Sequence, residues 1–143
     1  MPSDPEGRTV RLVLQGDPYS VRNALRQLFA NERLRFLRQS DRNAAELVLA
    51  EVLNNVVEHA YAHASGEIEI LVQVGHGSLV CTVVDHGVGM PNGRIPQSDT
   101  PPGCADLPEG GYGWPLIRDL SSDLSYRRIG DRNELSFRLK AEQ

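Results

Sequence analysis

The sequence is poor in cysteine, with two in 143 residues. Cys81 lies in an apolar run, which predicts a small core residue, and Cys104 lies in a stretch rich in proline and glycine. One core and one loop cysteine form neither a disulfide framework nor a metal-binding set. A chain of this length can bury a core without such cross-links, so we expect a single domain over residues 1–143.

The sequence also lacks a basic excess and a long apolar run. It has 15 lysines and arginines against 19 aspartates and glutamates, a net charge of −4. Direct nucleic-acid binding is therefore not expected, although backbone N–H groups and one metal ion suffice to hold a nucleotide triphosphate. No stretch approaches the roughly 20 apolar residues of a membrane span, and the polar N-terminus has no signal-peptide core. The expected location is the cytoplasm, without membrane association.

Apolar periodicity predicts the order strand, helix, helix, hairpin, long loop, helix, hairpin. The predicted strands are 8–15, 67–74, 78–85, 123–129 and 133–140, and the predicted helices are 18–31, 41–63 and 113–120. Residues 86–113 are rich in glycine and proline, which favours a functional or mobile loop; we expect a lid at about 90–112. The pattern predicts an α/β (α+β) two-layer sandwich, with a mostly antiparallel sheet and helices on one face.

A polar stripe follows the second predicted helix. Glu51, Asn55 and His59 are four residues apart and share one face, because each step of four advances about 40° around a helix. The neighbouring positions 52, 53, 56 and 57 are apolar. The stripe is either a solvated face or a buried set of side chains that need polar partners.

Two glycine clusters follow. Asp85, Gly87 and Gly89 end a predicted strand, where a carboxylate can accept a hydrogen bond from an exocyclic amine and glycines let the backbone approach a flat ring. The alternative is a plain turn with a solvated aspartate. The second cluster, residues 110–113, precedes the third helix, whose first N–H groups can bind an anion. The alternative there is a flexible loop that ends in a helix.

In this order and spacing, the three motifs resemble the GHKL ATPases. Residues 51–61 resemble the N box, residues 85–90 the first glycine box and residues 110–117 the second. Within that superfamily, the Glu-x-x-x-Asn-x-x-x-His-Ala-Tyr pattern and the small size resemble the anti-sigma-factor serine kinases. The resemblance implies a Bergerat-type sheet, mixed and mostly antiparallel, and an ATP and Mg²⁺ site.

The resemblance also implies a role for each matching residue. Asn55 would bind Mg²⁺ through its side-chain oxygen, and Glu51 would accept the proton of the attacking hydroxyl. Asp85 would bind the adenine amine. Gly87 and Gly89 would shape the base pocket, and Gly111 and Gly113 would let the lid and the helix start hold the phosphates. The remaining expected nucleotide contacts are Met90, Tyr112 and Asn133, the last where the family usually has threonine. Arg94 and Arg118 are candidate phosphate contacts, although Arg118 equally fits a surface residue.

The function implied is that of a protein-serine kinase, which transfers the γ-phosphate of ATP to a serine of a STAS-domain antagonist and regulates transcription by partner switching. A sigma factor and a second copy of the chain are further expected partners. Two alternatives stay open: an ATP-binding switch that sequesters a partner without transfer, and a histidine-kinase-like ATPase domain acting in trans. Glu51 favours transfer, because Mg-ATP binding alone needs no base.

Overall fold

The computed structural model describes residues 8–96 and 113–142. Within these two ranges the strands are β1 (Thr9–Gln15), β2 (Glu67–Val74), β3 (Ser78–Asp85), β4 (Ser122–Ile129) and β5 (Arg132–Lys140), and the α-helices are α1 (Pro18–Ala30), α2 (Gln39–Asn55) and α3 (Gly113–Leu120). The strands form an antiparallel sheet in the order β1-β2-β3-β5-β4. The predicted α+β sandwich is confirmed, and every pairing among these strands is antiparallel.

The core lies between one face of the sheet and the helices. In β2 the buried residues Ile68, Ile70 and Val72 alternate with more exposed ones, as expected for a strand with one face covered. Helix α2 covers that face with Val48, Leu49, Val52 and Leu53, all at most 1% exposed. Cys81 belongs to this core as predicted, and burial raises the pKa of its thiol to about 12, which keeps it protonated.

Local sequence signals explain where helix α1 begins and where the two hairpins turn. Asp17 caps α1 by accepting a hydrogen bond from the Ser20 N–H (2.8 Å), and Pro18 occupies the first turn. Gly77 and Gly130 have φ of 76° and 63° in the two hairpin turns, a conformation that favours glycine. No helix within the two described ranges combines the length and the apolar character that crossing a membrane requires.

The prediction that the second helix runs to residue 63 is wrong. Regular helix ends at Asn55, and a π turn follows over Val56–Ala60, closed by a hydrogen bond from the Tyr61 N–H to the Val56 carbonyl (2.9 Å). The apolar pattern continues through this turn, so periodicity alone does not reveal it. The π turn depends instead on contacts that Tyr61 makes with residues distant in the sequence.

Tyr61 holds the chain at this bend. A Cβ added to Gly16 or Gly66 would lie 2.6 or 2.5 Å from its ring, so both glycines are needed for the ring to pack. The Tyr61 hydroxyl donates to the Glu67 carbonyl (2.6 Å) and accepts from the His86 N–H (2.9 Å). The π turn is thereby fixed to the start of β2 and to the residue that follows β3.

We expect Tyr61→Phe to lower the free energy of unfolding by about 1–3 kcal/mol. The phenyl ring keeps the packing, but the Glu67 carbonyl and the His86 N–H lose their partner. Urea denaturation followed by circular dichroism measures the change. Tyr19→Phe is the matched control, because Tyr19 is 73% exposed and should leave stability unchanged. Equal stability of Tyr61→Phe and the wild type would contradict this account of the bend.

Candidate functional site

A cavity of about 450 Å³ opens where the π turn, the ends of β3 and β5, strand β4 and helix α3 meet. Its walls are largely apolar and include Val52, Val83, Trp114 and Leu135. A small set of polar side chains also faces it: Asn55, His59, Asp85, Tyr126 and Asn133. An apolar cleft of this size with a few convergent polar groups is typical of a small-molecule site.

Asp85 stands at the last position of β3, directly across from Asn133 in β5. Its carboxylate is buried, and one oxygen, Oδ1, accepts hydrogen bonds from the Gly87 N–H (2.8 Å) and the Asn133 Nδ2 (2.7 Å). The other oxygen, Oδ2, has no donor among the described residues. Asp85 is therefore a fixed side chain with one acceptor oxygen left for a ligand, and not the solvated aspartate of a plain turn.

The glycine loop after β3 lies against the π turn. A Cβ at Gly87 would be 2.2 Å from the Ala60 carbonyl oxygen, and the Val88 N–H donates to that same oxygen (2.9 Å). Gly87 is thus required by a backbone-to-backbone approach. A Cβ at Gly89 would instead meet the Arg128 side chain at 2.9 Å, so Gly89 makes room for an arginine. The predicted role of these glycines, to let the backbone approach a flat ring, stays a prediction, since the approaches seen here are to Ala60 and Arg128.

Two polar side chains of β4 were missed by the sequence analysis. The Tyr126 hydroxyl donates to Asn133 Oδ1 (2.6 Å) and accepts from the Met90 N–H (3.0 Å). An Arg128 guanidinium nitrogen donates to the same Asn133 oxygen (2.8 Å) and to the Gly87 carbonyl (2.9 Å). The turn at Gly130 and Asp131 could have indicated the role of Arg128, because a two-residue turn places Arg128 opposite Asn133.

Glu51 and Asn55 meet the start of α3. A Cβ at Gly113 would lie 2.8 Å from Glu51 Oε2 and 3.4 Å from Asn55 Nδ2, so the carboxylate, the amide and the first residue of α3 are neighbours. The predicted shared face of Glu51 and Asn55 agrees with this arrangement. His59 also borders the cavity, but from the π turn and with an exposed side chain.

The Asn55 amide is unusual in its environment. Asn55 is 7% exposed, and its Nδ2 is buried without a hydrogen-bond partner in the described part of the chain. A buried amide group without a partner carries a desolvation cost that a ligand can relieve. The oxygen of such an amide is also a ligand that Mg²⁺ accepts. No group of three or more histidine, cysteine, aspartate or glutamate residues in the described ranges could hold a metal ion.

Other predicted contacts have different outcomes. Gly111 and Tyr112 lie outside the described residues, as do Cys104 and most of the predicted lid; within that lid, Pro91–Gly93 form a short 3₁₀ turn. Arg118 donates to the Pro96 carbonyl (2.8 Å), which ties α3 to the segment after this turn. Arg94 is exposed. The cavity is thus lined by four of the predicted nucleotide contacts, Asp85, Gly89, Met90 and Asn133, while Glu51 and Asn55 meet at the start of α3.

Known proteins resemble the chain in sequence and in fold. Residues 14–139 match the profile of the histidine kinase-like ATPase domain. The serine-protein kinases RsbW of Bacillus cereus and Bacillus anthracis are 30% identical to the chain over 83 residues, which cover 55% of the chain and 52% of each kinase. The chain thus matches about half the length of these relatives. A solved structure of the RsbU and RsbW domains of Rv1364c from Mycobacterium tuberculosis has the same fold, with a TM-score of 0.59, 16% identity, and coverage of 94% of this chain and 33% of that one.

We expect Gly87→Ala to abolish measurable ATP binding and to destabilise the fold, because the new methyl group would enter the space of the Ala60 carbonyl. Calorimetric titration with Mg-ATP and thermal unfolding measure the two effects. Gly75→Ala is the matched control: its added Cβ makes contacts of 3.5 Å or longer, so binding should stay unchanged. A Gly87→Ala protein that binds ATP like the wild type would show that the loop does not form the site.

Proposed function

Because the chain belongs to the histidine kinase-like ATPase family, we propose that it is an ATP-dependent protein-serine kinase. The observation that carries the proposal is the position of Glu51 beside Asn55 at the start of α3. Asn55 itself lines the cavity. A site that merely held nucleotide would not need a carboxylate there. The similarity to RsbW serine-protein kinases supports the choice of serine as acceptor.

At the base end, Asp85 is proposed to accept a hydrogen bond from the adenine amine through Oδ2. The apolar walls of the cavity suit the faces of a purine. Gly89 and Met90 border the loop side, and Gly87 holds that loop against the Ala60 backbone. Asn133 does not point at the base as a free donor, because its amide nitrogen is occupied by Asp85 and by the Gly87 and Val88 carbonyls. We assign it instead to the orientation of Asp85.

At the phosphate end, Asn55 is proposed to hold Mg²⁺ through its amide oxygen. The proposed phosphate contacts are Gly111, Tyr112 and Gly113, of which Gly113 lies within the described residues. The N-terminus of α3 adds a partial positive charge near this end of the cavity. When bound, Mg-ATP supplies the transferable γ-phosphoryl group and a cation that offsets its charge.

Glu51 is proposed as the general base. Its carboxylate is partly exposed, so the serine hydroxyl of a partner protein can approach it from solvent. The carboxylate would accept the hydroxyl proton as the serine oxygen becomes a nucleophile. Phosphoryl transfer depends mainly on positioning and charge neutralisation, and one base beside a nucleotide site meets that requirement.

The proposed acceptor is a serine of a STAS-domain antagonist, and the proposed biological role is control of transcription by partner switching. A sigma factor as second partner, a homodimeric state, a cytoplasmic location and a single domain over residues 1–143 belong to the same proposal. Their support is the similarity to RsbW, which reaches about half of each relative's length. A switch that binds ATP and a partner without transfer is the rival that the next experiment separates.

Glu51→Gln should reduce phosphorylation of a STAS-domain partner at least ~100-fold, since the base is lost, while ATP binding stays within about twofold. Transfer of labelled phosphate to serine and calorimetric titration with Mg-ATP measure the two quantities. Glu46→Gln, an exposed change on the same helix, is the matched control. Full phosphate transfer by Glu51→Gln would show that Glu51 is not the base. Partner binding without any phosphate transfer by the wild type would favour the ATP-binding switch.

Asn55→Ala should weaken ATP binding about tenfold or more in Mg²⁺ and much less in EDTA, because the metal ligand is lost but the base contacts remain. The comparison requires calorimetry under both conditions. The exposed neighbour Asn54 supplies the control variant Asn54→Ala, which should bind like the wild type. If the wild type itself shows no Mg-dependent ATP binding, the proposed function is wrong.

A further inference from the structure

The side chain of Asn133 is held from two directions. Its oxygen, Oδ1, accepts hydrogen bonds from Arg128 (2.8 Å) and from the Tyr126 hydroxyl (2.6 Å). Its nitrogen, Nδ2, donates to Asp85 Oδ1 (2.7 Å) and lies 3.2 Å from each of the Gly87 and Val88 carbonyl oxygens. At 4% exposure, Asn133 is buried within this set of partners.

Arg128 is one of the groups that set which way the Asn133 amide faces, together with Tyr126 at the amide oxygen and the acceptors at the amide nitrogen. A guanidinium group has donors and no acceptor, so the amide atom beside it must be the oxygen. The amide nitrogen then necessarily faces Asp85. The Tyr126 hydroxyl acts in the same sense, because it accepts from the Met90 N–H and so has its proton free for the Asn133 oxygen.

The amide orientation in turn determines what Asp85 offers to a ligand. With Nδ2 facing it, Asp85 Oδ1 receives two N–H donors, which hold the side chain in place and leave Oδ2 as an acceptor for a ligand. The reversed amide would bring its oxygen against Asp85 Oδ1, and the repulsion between the two oxygens would favour a different side-chain position. Oδ2 would then no longer be held where the cavity presents it.

Arg128 also fixes the loop that carries the base contacts. The nitrogen that holds Asn133 donates to the Gly87 carbonyl (2.9 Å), and the side chain crosses close to Gly89. Arg128 itself is exposed, so its removal leaves the core intact. The effect of losing Arg128 should therefore concentrate on the loop and on Asp85.

We propose that Arg128 is a positioning residue that sets the base selectivity of this site. Acting through Asn133, it keeps Asp85 a hydrogen-bond acceptor, so that the cavity takes a purine nucleotide with an exocyclic amine at C6 in preference to one with a keto group there. This inference rests on the proposed nucleotide-binding function and assigns its selectivity to a residue that does not itself face the base.

The test compares ATP with inosine triphosphate, which has a keto group in place of the C6 amine. The wild type should bind ATP more tightly. Arg128→Met should weaken ATP binding about tenfold and bring the two affinities close together, because the acceptor is no longer fixed. Arg128→Lys keeps a donor at this position and should recover part of the ATP preference. Arg127→Met is the control, since Arg127 pairs with Glu134 away from Asn133 and should leave both affinities unchanged.

A second readout needs no nucleotide. In the free protein, the Gly87 N–H should exchange with solvent faster in Arg128→Met than in the wild type, while circular dichroism confirms the fold. If the wild type binds no ATP, the proposed function fails. If it prefers ATP and Arg128→Met keeps both that preference and the slow exchange at Gly87, the assignment of Arg128 alone is overturned.

Discussion

The hydrogen bond between the carboxylate of Asp85 and the amide of Asn133 is the contact on which the candidate site depends. It joins Asp85 at the end of β3 to Asn133 near the start of β5, and both residues are buried. A buried carboxylate is costly unless donors surround it. Here the Gly87 N–H and the Asn133 amide meet that need on one oxygen, and the other oxygen remains available to the cavity. The same hydrogen bonds therefore stabilise the pairing of β3 with β5 and leave one oxygen of Asp85 as an acceptor for a ligand.

The second constraint is the bend after α2. Regular helix stops at Asn55, the π turn redirects the chain, and Tyr61 fixes the bend between Gly16 and Gly66. The bend places the Ala60 carbonyl against Gly87 and within reach of the Val88 N–H. Because the π turn and the loop after β3 both line the cavity, these backbone contacts fix the position of one wall relative to the other. Side-chain packing then supplies the apolar lining.

Local patterns predicted the strands and the starts of the helices because each depends on neighbours in sequence: alternation for β2, Asp17 and Pro18 for α1, and Gly77 and Gly130 for the hairpins. The helical face shared by Glu51 and Asn55 could also be predicted, since it follows from helix geometry. The π turn could not, because its cause is the packing of Tyr61 between glycines distant in sequence. Tyr126 and Arg128 were missed for a related reason, since their role appears only when β4 is paired with β5 in the correct register.

We propose that one nucleotide occupies the cavity from Asp85 to Asn55. The side-chain amides of Asn133 and Asn55 lie at these two ends and give separate NMR signals in an isotope-labelled protein. Titration with Mg-ATP should shift both signals together, with the same affinity, and leave the exposed amide of Asn54 unmoved. Binding that perturbs neither Asn133 nor Asn55, or saturating Mg-ATP without any change in the spectrum, would contradict the account.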